Sequence, residues 1–175
     1  MGSSVKIDIR KAELSDAANL AVLKQQVWIA TYAEQGIRKE FSDYVLSEFE
    51  VDNVRLSISD VNVVTYIAEI DNHSVGCVEI AFNTECPVSS VKAPEITTLY
   101  VLERFLGRGI GKMLLDKATA VLRKMNFNTV WLTVYHLNER AISFYENNGF
   151  TEIGKAYFEM NDNRYENKVM LRDIE

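Results

Sequence analysis

The chain has 175 residues, 47% hydrophobic and 25% charged, the balance of one ordinary globular domain over 1–175 with length enough for a core. A formal net charge of −6 argues against nucleic acid as a partner, since such binding wants clustered Lys and Arg, and weakly suits a cationic one. Cys77 and Cys86 fit neither a metal spacing nor a disulfide framework, no apolar run approaches the roughly 18 residues of a membrane span, and Met1-Gly2-Ser3-Ser4 offers no apolar signal region. The expectation is a reduced, cytoplasmic protein with no metal and no membrane.

In chain order, the alternation of Lys6 to Arg10 predicts a first strand. Ser15 is the expected N-cap of a helix running to about Glu34, with Leu20, Leu23, Val27 and Trp28 on one face and Gly36 as its stop. Phe41 to Asp60 reads as one or two helices with Phe41, Val45, Leu46 and Phe49 inward. Val61 to Ile70 and Ser74 to Asn83 are β-rich and joined by the turn Asp71-Asn72-His73. Thr84 to Ala93 is loop-like. A strand follows over Glu95-Ile96-Thr97-Thr98-Leu99-Tyr100-Val101, then the run Gly107-Arg108-Gly109-Ile110-Gly111-Lys112. The helix that starts there has apolar Ile110, Met113, Leu114, Ala118, Val121, Leu122 and Met125. Asn128 to Tyr135 is another strand, Asn138 to Asn148 a short helix closed by Gly149, and Thr151–Met160 and Lys168–Arg172 are strands around a turn at Asn161-Asp162-Asn163.

The unit 95–135 is strand, helix, strand, so its two strands should be parallel. The flanking hairpins make the rest antiparallel. The expected fold class is α/β (α+β): a mixed, mostly antiparallel twisted sheet of about six or seven strands, a central splayed parallel pair, and helices on both faces.

The glycines fall where strand becomes helix. N–H groups there lack helical partners, the dipole's positive end faces outward, and no Cβ blocks an approaching phosphate. The bland alternative is a tight turn. Two nucleotide-binding patterns fail on particular residues. A dinucleotide fingerprint needs Gly-x-Gly-x-x-Gly and a later acidic residue, whereas this chain has Gly-x-Gly-x-Gly and Asn126-Phe127-Asn128. A Walker A loop needs glycine at 106 and Ser or Thr after the lysine, where Leu106 and Met113 stand.

Leu106-Gly107-Arg108-Gly109-Ile110-Gly111 resembles the Gln/Arg-x-x-Gly-x-Gly/Ala loop of the GNAT superfamily of N-acetyltransferases. Asn138, Ala141, Phe144, Tyr145, Gly149 and Phe150 resemble its Asn-x-x-Ala-x-x-Phe-Tyr-x-x-x-Gly-Phe helix. Leu106 departs from the usual Gln or Arg. Val27 to Gln35 and Tyr44 to Phe49 are similar, more loosely, to the polyamine N-acetyltransferase group called PaiA, which acts on spermidine and spermine.

The resemblance implies acetyl-coenzyme A as cosubstrate, with the acetyl group passing directly to a primary amine in a ternary complex. Leu106 to Lys112 would hold the pyrophosphate, with charge from Arg108 and Lys112. The strand edge at Leu99, Tyr100 and Val101 would pair with the pantetheine arm, and an N–H near Leu99 would hold the oxyanion. Asn138, Ala141 and Tyr145 complete the coenzyme contacts, and Tyr145 would protonate the leaving thiolate. Glu95 is the candidate base and His136 its rival. Trp28, Tyr32 and Tyr157 are aromatic candidates for an acceptor groove, and Glu34, Glu48, Glu85, Glu159 and Asp162 are candidate anchors for a long cation. The sequence leaves open a protein N-terminus, an amino acid or an antibiotic as acceptor, a non-catalytic coenzyme A-binding module, and a homodimer.

Overall fold

The computed structural model describes residues 4–175. The elements are β1 (Ile7–Lys11), α1 (Ala17–Tyr32), α2 (Lys39–Glu48), α3 (Val51–Ser59), β2 (Val63–Ile70), β3 (His73–Ala81), β4 (Glu95–Val101), α4 (Ile110–Lys124), β5 (Thr129–Tyr135), α5 (Glu139–Asn147), β6 (Thr151–Met160) and β7 (Asn163–Asp173), with short 3₁₀ turns at Leu14–Asp16 and Glu103–Phe105. Among the described residues, seven strands form one mixed sheet in the order β1-β2-β3-β4-β5-β7-β6. β1 runs antiparallel to β2, with Ile7 beside Ile70. β5 and β6 each run antiparallel to β7. β4 and β5 are the parallel pair expected from the strand-helix-strand pattern, with Glu95 beside Trp131. No helix is long and apolar enough to cross a membrane among the described residues.

The chain divides into two compact units. One comprises the residues up to Glu79 with Thr98–Ala118, the other Ile80–Thr97 with Thr119–Glu175. In the first, Leu20, Ala21 and Leu23 of α1 pack with Val54 of α3, Ile67 of β2 and Cys77 of β3, and Tyr100 and Leu102 lie against this cluster. The buried Cys77 thiol is pushed up to about 12, mainly by desolvation. In the second unit, Trp131 of β5 and Val169 of β7 pack with Cys86 and Ala93 of the segment before β4. Trp131 Nε1 donates to Ala93 O at 3.0 Å, and the Trp131 N–H donates to Pro94 O at 3.1 Å, which together fix where β4 begins.

Several local expectations change. Ser15 lies inside the 3₁₀ turn, so Asp16, not Ser15, is the N-cap of α1. Glu13 and Asp16 form a reciprocal capping box on that turn, and Asp16 also takes two 2.8 Å hydrogen bonds from Arg10. These bonds hold its carboxyl below the usual carboxylate range. α1 ends at Tyr32, two residues before Glu34. Leu46 is 66% exposed because the inward stripe of α2 is only Phe41 and Val45. On α4, Met113 faces outward and Leu115 is buried in its place, while Met125 lies beyond the last helical residue and is exposed. β7 begins at Asn163, five residues before the expected Lys168, so the β6–β7 hairpin is paired down to Met160 beside Asn163.

Candidate coenzyme and catalytic site

In the first unit, the end of β4 carries candidate coenzyme residues. Ile96 and Thr98 are buried, the pattern of an inward face, but the alternation then stops: Leu99, Tyr100 and Val101 are all half-buried. The end of a central strand is thus partly open on both sides. The Tyr100 side chain is half-buried and packs on the core cluster of its unit. Beyond β4, the Leu102 N–H donates to Val75 O at 2.9 Å, and the 3₁₀ turn closes through Phe105 N–H to Leu102 O at 2.8 Å and Leu106 N–H to Glu103 O at 3.1 Å.

The glycine run then reverses the chain. Gly107 has φ of 76° and Gly109 φ of 79°, and a Cβ placed on either would meet no heavy atom within 4 Å. Positive φ explains the residue type, and the open space leaves room for a group to approach the backbone. Ile110 opens α4 with its side chain 1% exposed, an anchor that fixes the helix start. The first bond spanning into the helix runs from Met113 N–H to Gly109 O at 3.1 Å. The N–H groups of Ile110, Gly111 and Lys112 precede that bond at the positive end of the dipole.

Three of the expected contributors take particular states. The Leu106 N–H is engaged with Glu103 O, so this position does not offer the donor its backbone was expected to lend. The Arg108 guanidinium lies 5.0 Å from the Phe105 ring centroid, a cation–π contact. Lys112 Nζ sits 2.9 Å from both carboxylate oxygens of Asp116, four residues on. That pair is exposed and so is worth at most about 1 kcal/mol, weak enough for a phosphate to displace.

In the other unit, α5 carries the second motif. Asn138 is its N-cap: its side-chain oxygen accepts from the Ala141 N–H at 3.2 Å, and its own N–H donates to Tyr135 O at 2.9 Å. The motif's Asn and Ala spacing is therefore a helix cap in this chain. Tyr145, seven residues on, is 8% exposed and sits edge-on to Phe144 and Phe150, each with ring centroids 5.5 Å away. Burial alone pushes the Tyr145 hydroxyl above its ordinary 10.0, so it stays protonated throughout the neutral range. Gly149 at φ of 87° turns the chain after the helix, and Phe150 N–H donates back to Tyr145 O.

The base candidates also lie in this unit. Glu95 begins β4 beside Trp131 and is half-buried. His136 follows β5, its Nδ1 3.5 Å from Glu166 Oε2 and its N–H donating to Glu166 O at 3.1 Å. Lys155, 2.9 Å away, holds the Glu166 carboxyl below its usual range, with His136 a smaller cause. Sequence reading missed this Lys155–Glu166–His136 cluster, because its members come from three segments of chain. Of the aromatic acceptor candidates, Trp28 is core, stacked on Tyr32 at 4.5 Å and against Phe41 and Tyr44. Tyr157 is half exposed, with the Arg164 guanidinium 4.1 Å from its ring centroid. Glu34, Glu48, Glu85, Glu159 and Asp162 are all exposed.

Comparison with known proteins agrees with the geometry. The model of the acetyltransferase (GNAT) family matches residues 28–150. An N-acetyltransferase of Chlorobaculum tepidum, itself uncharacterised, is 35% identical over 150 residues, covering 86% of this chain and 79% of that protein. The spermidine N(1)-acetyltransferase of Thermoplasma acidophilum is 27% identical over 154 residues, covering 83% and 89%. The crystal structure of PaiA N-acetyltransferase from Thermoplasma acidophilum in complex with coenzyme A shares the fold, with a TM-score of 0.76 over 96% of this chain and 99% of that one at 21% identity. The fold, the glycine turn at the start of α4 and the family match lead to one conclusion: the chain belongs to the GNAT family and is an acetyltransferase.

Proposed function

We propose that the chain transfers the acetyl group of acetyl-coenzyme A to a primary amine of a polyamine such as spermidine or spermine, by direct attack in a ternary complex. The observation that carries the coenzyme part is the turn at Gly107 and Gly109, with positive φ and open space beside the backbone at a helix start. The polyamine part is supported by the spermidine N(1)-acetyltransferase relative and the PaiA neighbour.

In this reading the N–H groups of Ile110, Gly111 and Lys112 bind the pyrophosphate, with Arg108 and Lys112 adding charge. The β4 backbone at Leu99 and Val101 pairs with the pantetheine arm as an added strand would, and an N–H near Leu99 holds the oxyanion. Asn138 and Ala141 act by fixing the first turn of the helix that bears Tyr145. Glu95 takes a proton from the ammonium of the acceptor. The free amine then attacks the thioester carbon, a C–N bond forms, and the tetrahedral oxyanion collapses with loss of the C–S bond. Tyr145, a hydroxyl that burial keeps protonated, gives its proton to the departing thiolate, and the second proton lost by the amine nitrogen as the amide forms restores the phenol. A second assignment of the base has its own support. His136 has a carboxylate neighbour, Glu166, with Oε2 3.5 Å from its Nδ1.

Recognition of a long cation would be spread over several exposed carboxylates, each worth at most about 1 kcal/mol, and would fade with salt. Comparison of kcat/KM for spermine, spermidine, putrescine and a neutral-tailed amine of similar length tests this. The polyamine reading expects spermine or spermidine to lead, with the advantage shrinking at high ionic strength. A neutral-tailed amine used equally well refutes it in favour of another amine acceptor.

A further inference from the structure

Gly76 lies in the middle of β3, at no turn and with no positive φ, so conformational freedom does not explain it. Space does. A Cβ built on Gly76 would stand 2.7 Å from the backbone oxygen of Tyr100, 3.2 Å from Leu114 Cδ1 and 3.4 Å from Val101 Cγ2. Ordinary contact begins at 3.4 Å, so the Tyr100 carbonyl would have to retreat by about 0.7 Å to admit a methyl group. A backbone oxygen has no rotamer by which to step aside. Those neighbours belong to the end of β4, where the strand becomes open on both faces, and to the second turn of α4.

We propose that Gly76 is a positioning residue for acetyl-coenzyme A. The absence of its side chain sets how closely β4 approaches β3, and how deeply Leu114 seats α4 above them. Next to it, the Leu102 N–H donates to Val75 O at 2.9 Å, so β4 is clamped to β3 at the point where the glycine allows the approach. Through that clamp the pantetheine edge at Leu99 and Val101 and the phosphate turn before Leu114 share one reference point on β3. Gly76 touches no substrate and acts through Tyr100 and Leu114. The inference rests on the coenzyme reading of β4 and α4 given above.

The test compares wild type, Gly76→Ala and Val78→Ala by acetyl-coenzyme A calorimetry, thermal melting and steady-state kinetics. Val78 is fully buried on the same strand, and its truncation weakens the core without crowding Tyr100. Gly76→Ala should raise the Kd and KM for acetyl-coenzyme A by at least ~10-fold, since displacement of binding groups on the 1 Å scale can cost up to about 10². Its KM for the amine should not change. Val78→Ala should lower the melting temperature while leaving coenzyme affinity as in wild type. Should Gly76→Ala fail to fold, Leu114→Ala tests the same seat from the helix side, and it too should weaken coenzyme binding. Wild-type affinity in a folded Gly76→Ala, or in Leu114→Ala when the former does not fold, overturns the role of Gly76. Equal weakening in Val78→Ala also overturns it, because general destabilisation would then account for the loss. Absence of acetyl-coenzyme A binding by the wild-type protein instead brings down the coenzyme reading on which the inference stands.

Discussion

Tyr145→Phe isolates one atom. The ring contacts with Phe144 and Phe150 survive the change, because centroid distances of 5.5 Å depend on the ring and not on the hydroxyl. The fold and coenzyme affinity should therefore be kept. Burial raises the hydroxyl above 10.0, so the native state favours the protonated phenol. The stability linked to this group is fully present below pH 10 and is lost as pH rises through the raised folded value. Across pH 6–9 the wild-type residue is thus protonated throughout. Loss of a positioned general acid lowers turnover by about 10²–10⁴, or roughly 3–5 kcal/mol of barrier. The assay is kcat at saturating acetyl-coenzyme A and amine from pH 6 to 9, with melting temperature and coenzyme Kd as controls. The ratio of mutant to wild type should stay low and flat over that range. Unchanged kcat, with the fold intact, would show that the thiolate leaves without Tyr145.

Gly109→Val forces a β-branched residue to φ of 79° and fills the open space beside the turn, so acetyl-coenzyme A binding should be severely weakened; unchanged affinity in calorimetry would remove the phosphate role of the turn. Glu95→Gln should lose activity most at low pH, where few amines are already neutral, whereas a flat ratio to wild type across pH 6–9 would pass the role of base to His136. His136→Ala run alongside should show the same low-pH loss only if the imidazole beside Glu166 is that base. Lys24→Ala strips a buried partner from Glu79, whose Oε2 lies 2.9 Å from Lys24 Nζ, and should cost about 3–5 kcal/mol in denaturant unfolding. A loss no larger than that of the exposed Lys39→Ala would show the Lys24 pair to be solvated.

The elements that carry the candidate residues were more legible in the sequence than the packing around them. The run from Gly107 to Lys112 follows a β-rich segment and precedes an apolar stripe, and those local signals sufficed to place the turn at the start of α4. The second motif likewise put Tyr145 on a helix. What local reading lost depended on distant partners. The burial of Lys24 is tolerable because Glu79, 55 residues away on β3, meets it, and Ser57 on α3 in turn donates from Oγ to the same Glu79 Oε2 at 3.0 Å. The role of Gly76 depends on Tyr100 and Leu114, and nothing near Gly76 in the chain signals it. Periodicity also overstates a helix's buried stripe at its edges. Leu46 and Met113 fit the apolar pattern yet face outward. The expected cap at Ser15 failed for a different reason. Ser15 lies within the 3₁₀ turn Leu14–Asp16, and Asp16, held by Arg10, takes the capping position.

The most direct test of the central claim is a coupled product assay. The protein, acetyl-coenzyme A and spermidine are incubated together, free thiol is followed with time, and the amine is analysed by mass spectrometry. The account predicts amine-dependent thiol release matched one for one by mono-acetylated spermidine, and near-complete loss of both with Tyr145→Phe. Thiol release without acetylated amine, or no release from any primary amine despite tight coenzyme binding, would contradict it.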